Sequence, residues 1–365
     1  MPRLKYGSLV LIVLVSLFLL HSQELFAQQR LDLPRVSPHA VVTQRIGLTD
    51  VTIDYHRPGV KGREIWGKLV PYGLVPGTPF GSGNPYPWRA GANENTTITF
   101  TDDVTIEGQK LAAGIYGLFL IPTESDWTII FSNNHSAWGS FFYDEKQDAL
   151  RVTVTPQKAP HEEWLRYGFD DLTDHSAVAY LRWEQLKVPF KIEVDTHTVV
   201  LNSMRNQLTS LPAFSWQGWY QAANYCLRND INYEEALTWI DRSIGQEKNF
   251  NNLQVKSRLL AKIDKAQEAD QTMKMAVEIA DESQLNRYGH RLLGQDKIKE
   301  AIDIFKLNVK RNPDSWNAYD SLAEGYQKDG NTKLAIKNFK KALGKAPENQ
   351  KARIQKILSE LQGTH

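Results

Sequence analysis

A 34-residue repeat in the C-terminal part of the chain constrains its fold more than any other feature. An alanine, a phenylalanine and a proline recur in the same order, first as Ala301, Phe305 and Pro313 and then as Ala335, Phe339 and Pro347. Ala236 and Ala269 fill the first of these positions earlier in the chain. This period is typical of tetratricopeptide repeats, whose paired helices cross closely at the small residue. The pattern predicts about four repeats and a C-terminal capping helix over residues 217–361.

Residues 38–195 instead have the period of two that β-strands show. Eight short segments rich in Val, Ile, Thr and aromatic residues are bounded by turn residues: 40–46, 51–56, 96–100, 115–121, 127–131, 150–156, 177–183 and 188–194. No long helical pattern separates them, which predicts a mostly antiparallel β-sandwich. Residues 196–214 are predicted to be a linker. The fold class is therefore two-domain, a β-sandwich followed by an α-solenoid.

The first 27 residues have the three parts of a secretory signal peptide. Arg3 and Lys5 precede the apolar run "LVLIVLVSLFLL", and a polar segment with Ala27 at a cleavage position follows. The run is shorter than the roughly 20 residues of a membrane span, although an uncleaved anchor is the alternative. The sequence predicts export to the periplasm or the extracellular space, with no membrane span after cleavage. The single cysteine, Cys226, is predicted to be a buried helix residue rather than a nucleophile.

The charge pattern argues against one class of partner and leaves two others open. The chain has 43 Lys and Arg residues and 42 Asp and Glu residues, so no excess of positive charge indicates nucleic acid. Residues 330–356 are the exception, with eight basic residues and only Glu348 as an acid. This stretch is either a solvated helix face or a docking surface for an acidic partner or for membrane headgroups.

A polar turn at the start of one predicted strand is the strongest candidate site. The segment "PWRAGANENTTITF" at 87–100 follows a loop at 73–88 that is rich in Pro and Gly. Aromatic rings beside fixed donors and acceptors suit a small polar or sugar-like ligand. The sequence predicts a concavity lined by Trp66, Trp88, Arg89, Asn93 and Glu94. In the structural alternative, Asn93 caps the turn and Arg89 pairs with Glu94 or another carboxylate.

Catalytic chemistry is not evident in the β half. The sequence has no nucleophile elbow, no zinc-ligand spacing and no convincing acid–base pair, so no catalytic residue, metal or cofactor is predicted. Asp54 and His56 lie two residues apart on a predicted strand and therefore share one face. Four cationic residues are candidates for a basic rim: Arg57, Lys61, Arg63 and Arg89.

Several of these motifs together resemble a known family. The segments "SPHAVVTQRIGLTDVTIDYHRPGVKGREIWGKLVPYG", "PWRAGANENTTITF", "DVTIEGQKLAAGIYGLFLIP" and "DHSAVAYLRWEQLKVPFKIEV" resemble the secreted bacterial domain of unknown function number 2911. The resemblance covers residues 38–195. It implies an exported β-rich domain, often followed by helical repeats, and no established activity. This chain departs from the family pattern because the Pro- and Gly-rich loop precedes the Trp-Arg-x-Gly-Ala-Asn-Glu motif.

Three functions remain as hypotheses at this point. The favoured one is an exported binding or assembly protein of the cell envelope. Its β domain would take a small polar or glycan-like ligand, and its helical repeats would take a protein or peptide partner. The first alternative is a hydrolase acting on glycans or esters through Glu94, Asp54 or His56. The second is a purely structural module.

Overall fold

The computed structural model describes residues 33–363, and the chain divides near residue 200 into two compact units. The predicted signal peptide, residues 1–27, lies outside the described residues. We refer to the part before this boundary as the β unit and to the part after it as the helical unit. No helix among the described residues is long and apolar enough to cross a membrane.

The β unit contains ten described strands arranged in two sheets. The strands are β1 (His39–Ile46), β2 (Thr49–His56), β3 (Thr97–Phe100), β4 (Val104–Ile106), β5 (Gln109–Leu111), β6 (Gly114–Ile121), β7 (Trp127–Ser132), β8 (Asp148–Val154), β9 (Gln157–Asp170) and β10 (Ser176–Val194). The larger sheet has the order β1-β2-β3-β6-β7-β8, and the smaller has the order β5-β4-β10-β9. Neighbouring strands pair antiparallel throughout both sheets. The predicted antiparallel β fold is confirmed.

Alternation of apolar and polar residues directs one face of each sheet into a shared core. In β2, every second residue from Thr49 to Tyr55 is buried, as the period of two requires. Phe131 of β7 and Phe190 of β10 come from different sheets, and their ring centroids are 6.0 Å apart. Both rings are almost fully buried. The two sheets therefore pack face to face around large aromatic side chains.

The structure differs from the predicted strand set in two places. Strands β4, β5 and β9 were not predicted, and the two segments predicted at 177–183 and 188–194 form the single strand β10. The alternation of apolar and polar residues is interrupted between these two segments because the β9–β10 register shifts on both sides of Glu184, which has φ of 54°. Such a bulge breaks the alternation without ending the strand.

The helical unit and the segment leading into it contain ten helices among the described residues. They are α1 (Thr196–Gln207), α2 (Trp216–Asn229), α3 (Tyr233–Gln246), α4 (Phe250–Lys262), α5 (Ala266–Ile279), α6 (Glu282–Gly294), α7 (Ile298–Arg311), α8 (Trp316–Lys328), α9 (Thr332–Lys345) and α10 (Glu348–Gly363). Helix α1 occupies most of the segment that was predicted to be a linker. Helices α2 to α9 form four successive pairs and α10 follows them, which is the predicted tetratricopeptide-type solenoid.

The repeated residues explain how the helix pairs pack. The four alanines of the repeat lie in α3, α5, α7 and α9, and all are buried: Ala236, Ala269, Ala301 and Ala335. Phe305 of α7 is fully buried, and its ring occupies the space that a Cβ atom on Gly289 of α6 would need. That Cβ would lie only 2.3 Å from the ring. Close helix crossing therefore depends on small residues opposite a large one.

Cys226 is buried in α2 and forms no disulfide, as predicted for a structural helix residue. Burial raises the pKa of its thiol to about 11. Because the thiolate is the reactive form, this thiol is inert at neutral pH in the folded chain.

The Gly289–Phe305 contact leads to a stability prediction. We expect Gly289→Ala to lower the free energy of unfolding of the helical unit by about 1–3 kcal/mol, because Phe305 has no room to move. Gly294→Ala is the matched control on the same helix, where an added Cβ meets no atom within 4 Å. The control should be neutral or gain up to about 1 kcal/mol from helix propensity. Urea unfolding followed by circular dichroism at the helical band measures both, and equal effects would contradict the packing explanation.

Candidate functional site

The polar turn begins where the Pro- and Gly-rich loop joins the larger sheet. The backbone N–H and C=O groups of Trp88 both bond to Leu120 of β6, at 2.9 Å each. Two non-glycine residues of the turn adopt left-handed backbone conformations, Ala90 with φ of 53° and Asn93 with φ of 60°. Such conformations persist where surrounding contacts hold them. The turn is therefore a fixed element rather than a loose connection.

The carbonyl group of Ala90 is the main anchor of this turn. It accepts hydrogen bonds from the Tyr167 hydroxyl at 2.9 Å and from the Thr96 hydroxyl at 3.2 Å, both in buried surroundings. The Tyr167 backbone N–H donates in turn to the Tyr55 hydroxyl at 3.1 Å. Burial raises the pKa of Tyr167 well above its usual value, so its hydroxyl remains a donor. Through these bonds the turn is attached to β9 of the smaller sheet as well as to β6.

Arg89 extends from this anchored turn without a carboxylate partner among the described residues. Its Nη1 donates to the Asn93 carbonyl at 2.7 Å, and this is its one hydrogen bond to any described residue. The guanidinium carbon lies 5.1 Å from the centre of the Phe141 ring. Burial lowers the pKa of Arg89, although arginine stays charged at neutral pH.

A cavity of about 520 Å³ lies beside Arg89 in the β unit. Trp88 and Asn93 line it from the turn, and Lys61 and Arg63 line it from the segment after β2. The remaining wall is formed by small and apolar residues together with Tyr86, Ser37, Ser140 and Trp183. No Asp or Glu is among the residues that line it. The cavity therefore combines aromatic surface with three cationic side chains.

Two of the predicted site residues lie outside this cavity. Trp66 packs edge-on against Trp88, Trp127 and Trp183, with ring centroids 4.9–5.8 Å apart. Its indole N–H is buried and has no acceptor among the described residues. The structure thus brings Trp88, Arg89 and Asn93 together at the cavity and places Trp66 behind them in a tryptophan cluster.

Glu94 faces a separate concavity. Arg35 donates to both of its carboxylate oxygens at 2.7 Å, and His56 Nδ1 lies 3.5 Å from Oε2. Burial alone would raise the pKa of Glu94, but the Arg35 hydrogen bonds and the nearby His56 outweigh it and lower the pKa. Glu94 is therefore an ionised carboxylate with a cationic partner, and it does not pair with Arg89.

The other two residues of the hydrolase hypothesis are also engaged. Asp54 bonds to His39 Nε2 at 2.7 Å rather than to His56. Burial lowers the pKa of His56, so the imidazole is largely neutral at pH 7. Within residues 33–363, no group of three His, Cys, Asp or Glu side chains is arranged to hold a metal ion.

The predicted basic rim forms only in part. Lys61, Arg63 and Arg89 all line the cavity, whereas the Arg57 guanidinium donates to the Leu165 carbonyl at 2.8 Å. Sequence reasoning missed Trp183, which comes from β10 and whose ring lies nearly parallel to Trp88 at 6.0 Å. Because Trp183 is 1% exposed, it supports Trp88 from behind. Its separation of 95 residues from Trp88 left no local signal.

The Ala90 anchor generates a stability prediction. Tyr167→Phe removes one of the two donors to a buried carbonyl, so we expect the free energy of unfolding to fall by about 1–2 kcal/mol. Tyr86→Phe is the control, because the Tyr86 hydroxyl has no hydrogen bond to any described residue, and it should change stability by less than about 0.5 kcal/mol. Chemical denaturation followed by tryptophan fluorescence measures both variants. A Tyr167→Phe variant as stable as the control would show that the turn does not depend on this bond.

The family described as "Protein of unknown function (DUF2911)" matches residues 37–192. No curated protein sequence matches the chain.

Among solved structures, similar ones include MamA, residues 41 to the end, from Desulfovibrio magneticus RS-1, which is 20% identical. The match covers 41% of this chain and 84% of that one, with a TM-score of 0.29. Another is YrrB, titled "a TPR protein with an unusual peptide-binding site", which is also 20% identical. That match covers 43% of this chain and 82% of YrrB, with a TM-score of 0.29. The resemblance inferred from the motifs is confirmed: residues 37–192 match the DUF2911 family, and a helical region follows them.

Proposed function

We propose that this chain is an exported binding or assembly protein of the bacterial cell envelope. Its β unit binds a small polar, glycan-like ligand, and its helical repeats bind a protein or peptide partner. One observation carries the proposal: a cavity in which the Trp88 ring lies beside Arg89 and Asn93. An apolar ring face next to a few fixed polar groups is the arrangement by which small polar ligands are oriented.

The size and rigidity of the cavity support ligand binding. Its volume of about 520 Å³ lies within the range of roughly 300–1,000 Å³ that small-molecule sites occupy. The Ala90 anchor holds the backbone on one side of Arg89, and the hydrogen bonds between Trp88 and Leu120 hold it on the other side. Donors held in place before the ligand arrives lose little conformational entropy on binding.

The helical repeats support a second binding surface. Stacked helix pairs present an extended surface to partners and supply no chemistry of their own. Within the basic stretch 330–356, several cations are already paired, such as Lys345 with Asp314 and Arg353 with Asp320. Lys333, Lys337 and Lys340 form no ion pair with a described residue, and their spacing places them on one face of α9. An acidic protein segment is the partner that this face suits.

The location rests on the N-terminal sequence. Residues 1–27 have the charged, apolar and polar parts of a signal peptide. A chain with one cysteine forms no intramolecular disulfide, so in an oxidising compartment its stability comes from core burial alone.

The two alternatives have less support. A glycosidase with Glu94 as its general acid would need that carboxyl group to hold a proton near neutral pH, whereas the pKa of Glu94 is lowered. Asp54 is hydrogen-bonded to His39. A purely structural module accounts for the Ala90 anchor, but it gives no role to a cationic cavity that the anchor leaves open.

Ligand binding is tested on the full-length chain. The thermal-shift screen uses monosaccharides, oligosaccharides and other small polar compounds. We expect some of them to raise the midpoint temperature of thermal unfolding of the β unit. Trp88→Ala should abolish the shift because it removes the ring face. Trp138→Ala is the control, since Trp138 is 50% exposed and does not line the cavity.

A second matched pair distinguishes the cavity from the neighbouring concavity. Arg89→Ala should weaken binding at least about tenfold, as the loss of a charged hydrogen bond does. Glu94→Ala should leave affinity nearly unchanged. Hits that bind the Arg89 variant unchanged would place the site elsewhere, and the absence of any hit would favour the structural alternative.

Export has its own test. Residues 1–40 fused to alkaline phosphatase, which needs disulfides to be active, should give active enzyme in a Gram-negative host. A control fusion carrying Leu14→Arg and Val15→Arg interrupts the apolar run and should be inactive. Equal activity of the two fusions would contradict the proposed signal peptide.

A further inference from the structure

We infer that the cavity selects a small ring-bearing organic anion, with a carboxylate or phosphate group held by Arg89 and its ring on Trp88. This inference rests on the proposed ligand-binding function and narrows it from polar ligands in general to anions. It is carried by the way charges are distributed around the turn.

The charged residues that line the cavity all have the same sign. Lys61, Arg63 and Arg89 line it, and no acidic residue does. The two Arg63 contacts are with backbone carbonyls, those of Gly59 at 2.6 Å and Val60 at 3.1 Å. Backbone carbonyls do not cancel a charge. The three cations therefore act on the cavity with no opposing charge in its lining, and apolar walls strengthen their field.

Most described arginines of the β unit have a carboxylate partner, whereas Arg57, Arg63 and Arg89 have none among the described residues. Arg35, Arg45 and Arg151 each lie 2.6–2.7 Å from a carboxylate oxygen. Arg89 has no such partner among the described residues, although it is half-buried. Burying a charge without a partner costs free energy. A ligand anion would supply the missing partner, in the two-pronged geometry that a guanidinium favours.

The Glu94 side chain lies outside the cavity. This carboxylate lies only five residues from Arg89 and would neutralise it if both faced the same space. Ala90 and Asn93, which lie between Arg89 and Glu94 in sequence, have left-handed backbone conformations. Glu94 instead lines the neighbouring concavity, where Arg35 holds it. The turn thereby leaves the cation at the cavity and places the anion outside it.

The class of ligand follows from these features. An anionic group meets Arg89, with Lys61 and Arg63 adding long-range attraction. The Trp88 ring offers an apolar face to the rest of the ligand, and the nearly parallel Trp183 ring supports it. A sugar acid, an aromatic acid or a phosphorylated ring has both parts.

The experiment compares pairs of ligands that share a ring, in which one member carries an anionic group and the other is neutral. Isothermal titration calorimetry on the full-length chain would use glucuronate against glucose, benzoate against benzamide, and phenyl phosphate against phenol. We expect at least one anion to bind about tenfold or more tightly than its neutral counterpart. Its affinity should fall as NaCl rises from about 50 mM to about 500 mM.

Variants identify the responsible charges. Arg89→Gln should weaken binding of the anion about 10- to 100-fold, which corresponds to about 1.4 kcal/mol of binding free energy for each factor of ten. Because Arg89 also contacts the turn, Lys61→Gln provides a second variant whose side chain lies outside that network. It should weaken the anion about two- to fivefold. Lys68→Gln removes a nearby exposed cation that does not line the cavity and should have no effect.

The outcomes separate this inference from the proposed function. If neutral compounds bind as tightly as their charged counterparts, or Lys61→Gln and Arg89→Gln leave anion affinity unchanged, the anion inference is wrong while a ligand site stands. If all the anions fail while the wider thermal-shift screen finds a neutral hit lost in Trp88→Ala, the same conclusion holds. If nothing binds in either experiment, both proposals are wrong.

Discussion

The buried carbonyl of Ala90 is the interaction on which the rest of the β unit's candidate site depends. Tyr167 reaches it from the smaller sheet and Thr96 from the entry to β3, while Trp88 joins the turn to β6 of the larger sheet. One carbonyl thus links elements from both layers of the sandwich. A buried carbonyl without donors is costly, so these hydrogen bonds favour the observed position of the turn. The anchored backbone also fixes where the neighbouring side chains begin, and Arg89 is among them.

Arg89 shows where folding stability and the proposed ligand binding would compete. A half-buried guanidinium with a single backbone acceptor is less favourable for folding than a paired one, and the same chain pairs Arg45 with Asp50. Local departures of this kind tend to occur at functional sites and are compensated elsewhere in a fold. Here the compensation is visible in the tryptophan cluster behind the cavity and in the Ala90 anchor. The cavity remains open because these two sets of contacts hold its walls in place.

The sequence specified the helical repeats more fully than the site, for a physical reason. Ala301 and Ala335 are 34 residues apart because each makes the same contacts within its helix pair and with the neighbouring helices. These contacts are local in sequence and repeat along the chain. The cavity instead depends on contacts between distant residues, such as that of Trp88 with Trp183. Trp88, Arg89 and Asn93, which are close in sequence, line the same cavity. Sequence adjacency did not reveal that Glu94 faces a separate concavity, because its partner Arg35 lies 59 residues away in the chain. Strand β9 was missed because the first half of that strand is exposed and lacks alternation.

The sequence left two explanations of the turn open, a structural support or the floor of a site, and the structure shows that they are compatible. The backbone carries the support: the Ala90 carbonyl is buried, and a Cβ on Gly91 would lie 2.6 Å from the Thr96 hydroxyl, so only glycine fits there. The side chains of Trp88, Arg89 and Asn93 are left to line the cavity. Because different atoms serve the two roles, substitutions can separate them. Loss of Tyr167 acts through the backbone and therefore on folding, whereas loss of the Arg89 charge acts mainly through the cavity.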